Sequence, residues 1–320
     1  MAAGGGKKAI IAAMLANGGI AIAKFVAFLV TSSASMLAES IHSVADTSNQ
    51  GLLLLGGKQA QKIADDEHQF GYGRERYFWA FVVALVLFTL GGMFSLFEGI
   101  EKIRHPHEVS SLGWAIGVLL VGIVLEGFSF RTAIVEARKV KGDRTWWEYI
   151  RTSRSPELPV VLLEDAGAQI GLVLALIGVT LAAVTEDPVW DGIGTMSIGI
   201  LLLVIASILT YEMRSLLIGE AATETDIRAL TAAARDAPHV TRIIDLKTQH
   251  IGPEELLVAG KIEFERGLRT GQIADAIDGV ERAIREAVPT ARRIYLEPDL
   301  YDPDHVETPD AASFDDPGAH

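Results

Sequence analysis

Apolar residues in this chain come in long runs, not in the short alternating groups of a soluble core. Six runs exceed the roughly 18 residues that indicate a bilayer span. They lie at about 9–30, 34–56, 77–102, 112–137, 158–185 and 190–217. Short polar breaks separate them, so the pattern predicts six transmembrane helices, with a tight turn at Thr31 to Ser35 making a hairpin of the first two. The first run follows Lys7 and Lys8, as a signal peptide would. It continues past a normal apolar core and lacks a small-residue cleavage site, so it is read as a retained first span.

From Glu220 the pattern becomes that of a soluble α+β unit. Thr223 or Thr225 caps a helix ending near Pro238. In the run that follows, Ile244, Leu246 and Thr248 alternate with Ile243, Asp245, Lys247 and Gln249. After the turn at Gly252 and Pro253, Leu256, Val258, Ile262 and Phe264 alternate with Lys261, Glu263 and Glu265. Period-two alternation on both sides of a turn predicts an antiparallel hairpin. An amphipathic helix over Arg269–Val288 and a short strand over Arg292–Leu296 complete a layer of α+β structure. The expected organisation is a membrane domain over 1–218, a second domain over 219–302 and a disordered acidic tail over 303–320.

The second span breaks its own pattern. Glu39, His42, Asp46 and Asn49 interrupt it at helical spacing. At about 100° per residue, Glu39, Asp46, Asn49 and Ser35 all fall within roughly 60° of His42. Ionisable groups at the centre of a membrane helix cost about 2.5–3.5 kcal/mol each on insertion scales. A stripe of them calls for an ion or a pathway. His42 and Asp46 are four apart and meet at one point, and imidazole with carboxylate suits zinc and similar divalent ions. The bland alternative is a buried His–Asp hydrogen bond that only joins two helices.

Composition narrows the chemistry. Cysteine is absent, which excludes disulfides, thiolate metal sites and a cysteine nucleophile. Mean hydropathy is +0.30 despite the polar C-terminal third. The net charge of −13 argues against nucleic acid as a partner. Basic residues cluster in alternate loops: Lys7, Lys8, Lys58, Lys62, Arg74 and Arg76, then Arg138, Lys139, Lys141, Arg144, Arg151 and Arg154, against only Lys102 and Arg104 on the other side. The positive-inside rule makes the first side cytoplasmic, with both termini there, in a multi-pass protein of the cell membrane.

Other acids stand in apolar surroundings. Glu164 and Asp165 lie about six residues into the fifth span, either as an interfacial pair or as carboxylates supplied to the second span's stripe. Glu126 sits mid-way along the fourth span, either paired with Lys24 or Arg131 or open to an ion. Asn17 and Lys24 share a face of the first span, and Lys24 faces the interior unless it lies near an end. In the loop after the second span, Asp65, Asp66, Glu67 and His68 offer a surface cation site, though exposed acidic loops usually bind nothing specific.

The segment SASMLAESIHSVADTSNQGLLLLGG, the loop DDEHQFGYGRERYFWA and the later PVWDGIGTMSIGILLL together resemble the cation diffusion facilitator family. Within it they look like the branch that includes the animal mitochondrial zinc exporter. The resemblance covers residues 8 to about 300 and implies six membrane helices with a cytoplasmic ferredoxin-like domain, usually as a homodimer. It implies exchange of a divalent metal, most often zinc, for protons. The family's H-x-x-x-D on the second span is met by His42 and Asp46. On the fifth span Asp165 stands at the acid position, but Val161 occupies the histidine position. In the loop, Asp65 and His68 match a site found in some members, with Tyr72 where a further histidine belongs. Ile244, Lys261 and Leu296 stand near places where some relatives carry zinc-binding histidines, so no such site is expected in the C-terminal domain.

The leading expectation is therefore a secondary transporter without a prosthetic group, holding zinc between His42, Asp46 and Asp165. Manganese, iron and cobalt are alternatives. The fourth ligand is Glu164, Asn49 or water, with Glu164 favoured because a second carboxylate offsets the ion's charge. Protonation of His42 would compete with metal and couple the two fluxes. The runner-up is an intramembrane zinc hydrolase, against which stand the lack of an H-E-x-x-H segment and of any polar substrate loop entering the membrane.

Overall fold

The computed structural model describes residues 2–31, 34–106 and 112–303, with side chains described except at 2–9, 27, 28, 30, 31, 34–42 and 45. The chain divides into two compact units, Met1–Leu217 and Ile218–His320. The expected acidic tail lies outside the described residues from 304 onward.

The first unit is helical. Helix α1 spans Ala2–Thr31 and α2 spans Ala34–Gln59. A continuous rod follows, made of α3 (Glu75–Val86), a π-helical turn at Leu87–Met93 and α4 (Phe94–Arg104). Then come α5 (Leu112–Lys141), a short α6 (Trp146–Thr152), α7 (Glu157–Thr185) and α8 (Val189–Ile218). Among the described residues, four helical stretches are long and apolar enough to cross a membrane: Glu75–Arg104, Leu112–Lys141, Glu157–Thr185 and Val189–Ile218. Between Ile10 and Val26 α1 is apolar over a shorter length.

This unit is inside-out relative to a soluble bundle. Leu15 and Phe97 are each 69% exposed and Phe128 is 65% exposed, whereas Asn17, Lys24, Asn49, Gln50, Glu126, Glu164 and Asp165 are buried. Apolar side chains facing outward are stable only where lipid meets them. Lys24 thus points inward from α1, as it must when it cannot snorkel to an end.

Two features depart from the predicted pattern. Helix α6 sits in the basic loop and opens with a capping box, in which the Thr145 hydroxyl accepts from the Glu148 amide while the Glu148 carboxylate accepts from that of Thr145. Its T-x-x-E signature was legible. The π turn replaces what the pattern predicts as regular helix, at the pair Gly91 and Gly92.

Close packing follows from small residues. Gly92 and Gly99 on the rod face Leu203 and Met196 on α8, while Gly192 and Gly199 on α8 face Ile103 and Leu96. A Cβ at Gly99 would stand 2.4 Å from the Met196 backbone nitrogen, and one at Gly199 would stand 2.5 Å from that of Leu96. Near the start of α7, Glu157 is 6% exposed and accepts both Nε and one terminal nitrogen of Arg76 on α3, the latter at 2.8 Å. Removing one partner of such a buried pair costs about 3–5 kcal/mol.

The second unit runs α9 (Glu224–Arg235), β1 (Val240–Gly252), β2 (Glu255–Phe264), α10 (Thr270–Ala287) and β3 (Ala291–Pro298). Thr223 caps α9, accepting from the Asp226 amide at 3.2 Å. The sheet order is β1-β2-β3, with β1 and β2 antiparallel and β2 and β3 parallel across the α10 crossover. Helices α9 and α10 supply Leu230, Val280 and Ile284 to a core with Leu256, Val258 and Ile262. One strand departs from its pattern. Ile243, expected to alternate with Leu246 on opposite faces, is buried with it, because a bulge between Ile243 and Asp245 shifts the phase.

Candidate metal site

Helices α2, α5 and α7 bring the acids together. Asp165 is 1% exposed and Glu164 is 5% exposed, so the pair belongs to the interior and not to the water boundary. Glu164 is gripped by α2: Asn49 Nδ2 donates to Oε1 at 3.0 Å and Gln50 Nε2 donates to Oε2 at 3.1 Å. Asp165 is held from α5, where Ser129 Oγ donates to Oδ2 at 2.7 Å. The other oxygen, Asp165 Oδ1, is buried without a donor, as is Asn49 Oδ1. Buried acceptors without donors are unusual and call for a proton, a water or an ion.

Asp46 is half-buried on α2, and its charge acts on Glu126, Glu164 and Asp165 alike. The four carboxyl groups therefore share one electrostatic environment. Lys24 donates to Ser43 Oγ at 3.1 Å, and its charge also reaches Glu126. Arg131, the alternative partner for Glu126, faces outward. His42 lies on α2, one turn before Asp46, and its side chain, like that of Glu39, lies outside the described residues. Among the described residues no group of three His, Asp or Glu side chains gathers closely enough to hold a metal.

Gln50 and Ser129 are functional candidates the sequence did not expose. Gln50 adjoins Asn49 but points about 100° away on an ideal helix, and a lone serine in an apolar run is unremarkable. The available signal was that Ser129 lies three residues after Glu126, on the same face.

In the loop, Asp65 and His68 are close but engaged. Asp65 Oδ1 accepts from the backbone of Glu67 and His68 at 3.2 and 2.7 Å, and Oδ2 accepts from the Tyr72 hydroxyl at 2.7 Å. His68 Nδ1 stands 3.7 Å from Asp65 Oδ1. The Tyr72 hydroxyl and then the His68 amide hold the Asp65 carboxyl below its ordinary range. Asp65 in turn pushes the Tyr72 phenol up to about 12. In the second unit, Lys261 reaches Asp299 at 3.3 Å, and Ile244 and Leu296 offer no ligand atoms.

A helical bundle that turns its apolar side chains outward and gathers carboxylates within defines an α-helical membrane protein with a charged interior. A model of the cation efflux transmembrane domain matches residues 10–218, and the chain belongs to the cation diffusion facilitator family. It is 33% identical over 261 residues to the mouse protein named proton-coupled zinc antiporter SLC30A9, mitochondrial, covering 81% of this chain and 46% of that one. Over 260 residues it is 29% identical to metal tolerance protein C4 of Arabidopsis thaliana, covering 81% of this chain and 57% of the plant protein. Magnetosome protein MamB of Paramagnetospirillum magneticum is 26% identical over 270 residues, 84% of this chain and 85% of its own. The chain spans about half the length of the animal relative it matches.

Proposed function

We propose that this protein is a secondary transporter that exchanges a divalent metal cation, zinc first, for protons. The observation that carries the reading is Asp165 on α7: buried, fixed at one oxygen by Ser129, open at the other, and within the field of Asp46 on α2. A ligand oriented by a hydrogen bond at one atom and free at the next is how metal carboxylates are held. His42 and Asp46 supply the rest from α2, and the neutral imidazole favours zinc over harder ions. Glu164 is the fourth ligand. Each of its oxygens retains a lone pair beyond the one used by Asn49 or Gln50. Asn49 Oδ1 is the alternative, because it too is buried without a donor.

Protons and metal compete for the same groups, since a protonated imidazole cannot ligate. Rocking of helices around the fixed site exposes it to each side in turn. The reading includes six spans, both termini and the basic loops on the cytoplasmic side of the cell membrane, a ferredoxin-like C-terminal domain and a homodimer. The relative named as a proton-coupled zinc antiporter supports the exchange. Nothing supports the hydrolase reading.

The test is metal flux into proteoliposomes with a panel of zinc, manganese, iron and cobalt under an imposed pH gradient. Zinc should move fastest and should slow when the gradient is collapsed. Flux of no divalent metal, or flux indifferent to the gradient, overturns the exchange. A reporter at His320 reading out on the extracytoplasmic side overturns the orientation.

A further inference from the structure

The seam between α5 and α7 carries more oxygen chemistry than the Asp165 site uses. The two helices run antiparallel. Ser129 meets Asp165, Gly127 lies against Gln169 Oε1, and Gly122 lies against Leu172. As α5 runs back from 129 to 122, α7 runs on from 165 to 172. Glu126 falls between these contacts, one helical turn from Ser129 and on the same buried stripe as Gly122, Ser129 and Ala133. It is only 4% exposed.

Three acceptors on this seam are buried without a donor: Glu126 Oε2, Asp165 Oδ1 and Gln169 Oε1. Two come from carboxyl groups, and the charge of Asp165 acts on Glu126, so crowding them is doubly unfavourable. One cation would satisfy all three at once.

We propose that Glu126, Gln169 and Asp165 form a second cation station on the α5–α7 seam, on the α5 side of Asp165. All its donors are oxygen atoms, so it takes hard divalent ions such as Mn2+ in preference to zinc. Its place on a path rests on the transporter reading; its existence as a binding site does not. The Lys24 ammonium acts on Glu126 from α1 and keeps the station weak, which suits an ion that passes through. Asp165 belongs to both stations and hands the ion from one to the other.

The test uses the full-length chain in detergent and Mn2+ as the probe, read by electron paramagnetic resonance. The double variant His42→Ala, Asp46→Asn removes the α2 ligands of the first station and should still bind Mn2+. Adding Glu126→Gln should weaken that binding about tenfold or more, and adding Gln169→Leu instead should weaken it in the same direction. The leucine variant keeps the test alive if the glutamine variant does not fold. The station is overturned if the well-folded double variant binds no Mn2+. Unchanged binding on addition of the Glu126 or Gln169 substitution also overturns it, and is the outcome expected of a seam that holds only protons or water. Zinc flux of the parent protein is scored separately: flux lost with Mn2+ binding kept sinks the transporter reading alone, and the reverse sinks the station alone.

Discussion

Two seams in the helical unit are built on opposite principles. Between α2, α5 and α7 the contacts are directional: two amides on Glu164, a hydroxyl on Asp165, and acceptors left open. Between the α3–α4 rod and α8 the contacts are steric, with Gly92, Gly99, Gly192 and Gly199 letting backbone approach backbone. Hydrogen-bond partners can be exchanged for an ion or a proton at modest net cost, because each bond is worth only about 0.5–1.5 kcal/mol. Interlocked backbones have no such alternative. The first seam is suited to change during the proposed exchange and the second to remain as it is.

Substituting the steric seam should have the largest effect. Gly99→Leu or Gly199→Leu drives a side chain into the partner's backbone and should cost about 3 kcal/mol or more. Loss of a monodisperse peak in size-exclusion chromatography is the expected result. A variant that elutes and melts like the parent protein means that α8 does not pack there.

On the polar seam the chain should survive and the function should not. Asp165→Ala is expected to abolish zinc flux while elution and melting stay near the parent's. Retained flux removes Asp165 from the ligand set. Glu164→Gln turns an acceptor into a donor facing the Asn49 and Gln50 amides, leaving one donor unmatched at a cost of about 1–3 kcal/mol. Flux should fall substantially in a protein that still folds. Normal flux, set beside a dead Asp165→Ala, gives the fourth position to Asn49 or water. Ser129→Ala is milder, since it loosens Asp165 without removing it, and zinc affinity should drop about tenfold by calorimetry. No change in affinity there means that Ser129 orients nothing.

How much of this contrast was legible depends on what each seam is made of. The acids announced themselves, because a carboxylate in an apolar run has few reasons to be there. The helices were legible from the lengths of the apolar runs, and their ends fell close to the polar breaks. Gln50 and Ser129 were not legible: their importance comes from what they face on α7, and one sequence does not say which helices are neighbours. The glycines at 92 and 99 and at 192 and 199 share a seven-residue spacing that is visible in the chain, but not the fact that one pair faces the other. The bulge at Ile243 was hidden because an extra residue changes the strand's phase without changing its composition.

The smallest expected effect lies in the exposed loop, where no seam exists. The Asp65 carboxyl is depressed, so its contribution to loop order is present above the ordinary carboxylate pKa and is lost as pH falls through the folded value. Tyr72 is raised, so its contribution is present below the ordinary phenol pKa and is lost as pH rises through about 12. Asp65→Asn should bring the Tyr72 titration back toward the ordinary phenol value in an ultraviolet difference experiment, with Tyr72→Phe as the blank. An unmoved titration shows that the two do not interact in solution.

The π turn at Leu87–Met93 sets a rule about chain length. Tyr77, Ala80 and Ala84 ahead of it and Leu87 and Gly91 within it make one buried stripe. From Gly92 onward the residues turned toward α8 are Gly92, Leu96, Gly99 and Ile103, the same rhythm displaced by one position. One surplus residue wound into the turn accounts for that displacement. Deleting one residue inside the turn would leave a straight α-helix whose later residues keep their faces, whereas deleting one elsewhere in the rod would swing everything after it by about 100°. In the second case Gly99 would turn away from Met196, and a bulkier neighbour would arrive in its place. The turn is therefore the one place in this rod where a residue can be lost without breaking the contact with α8.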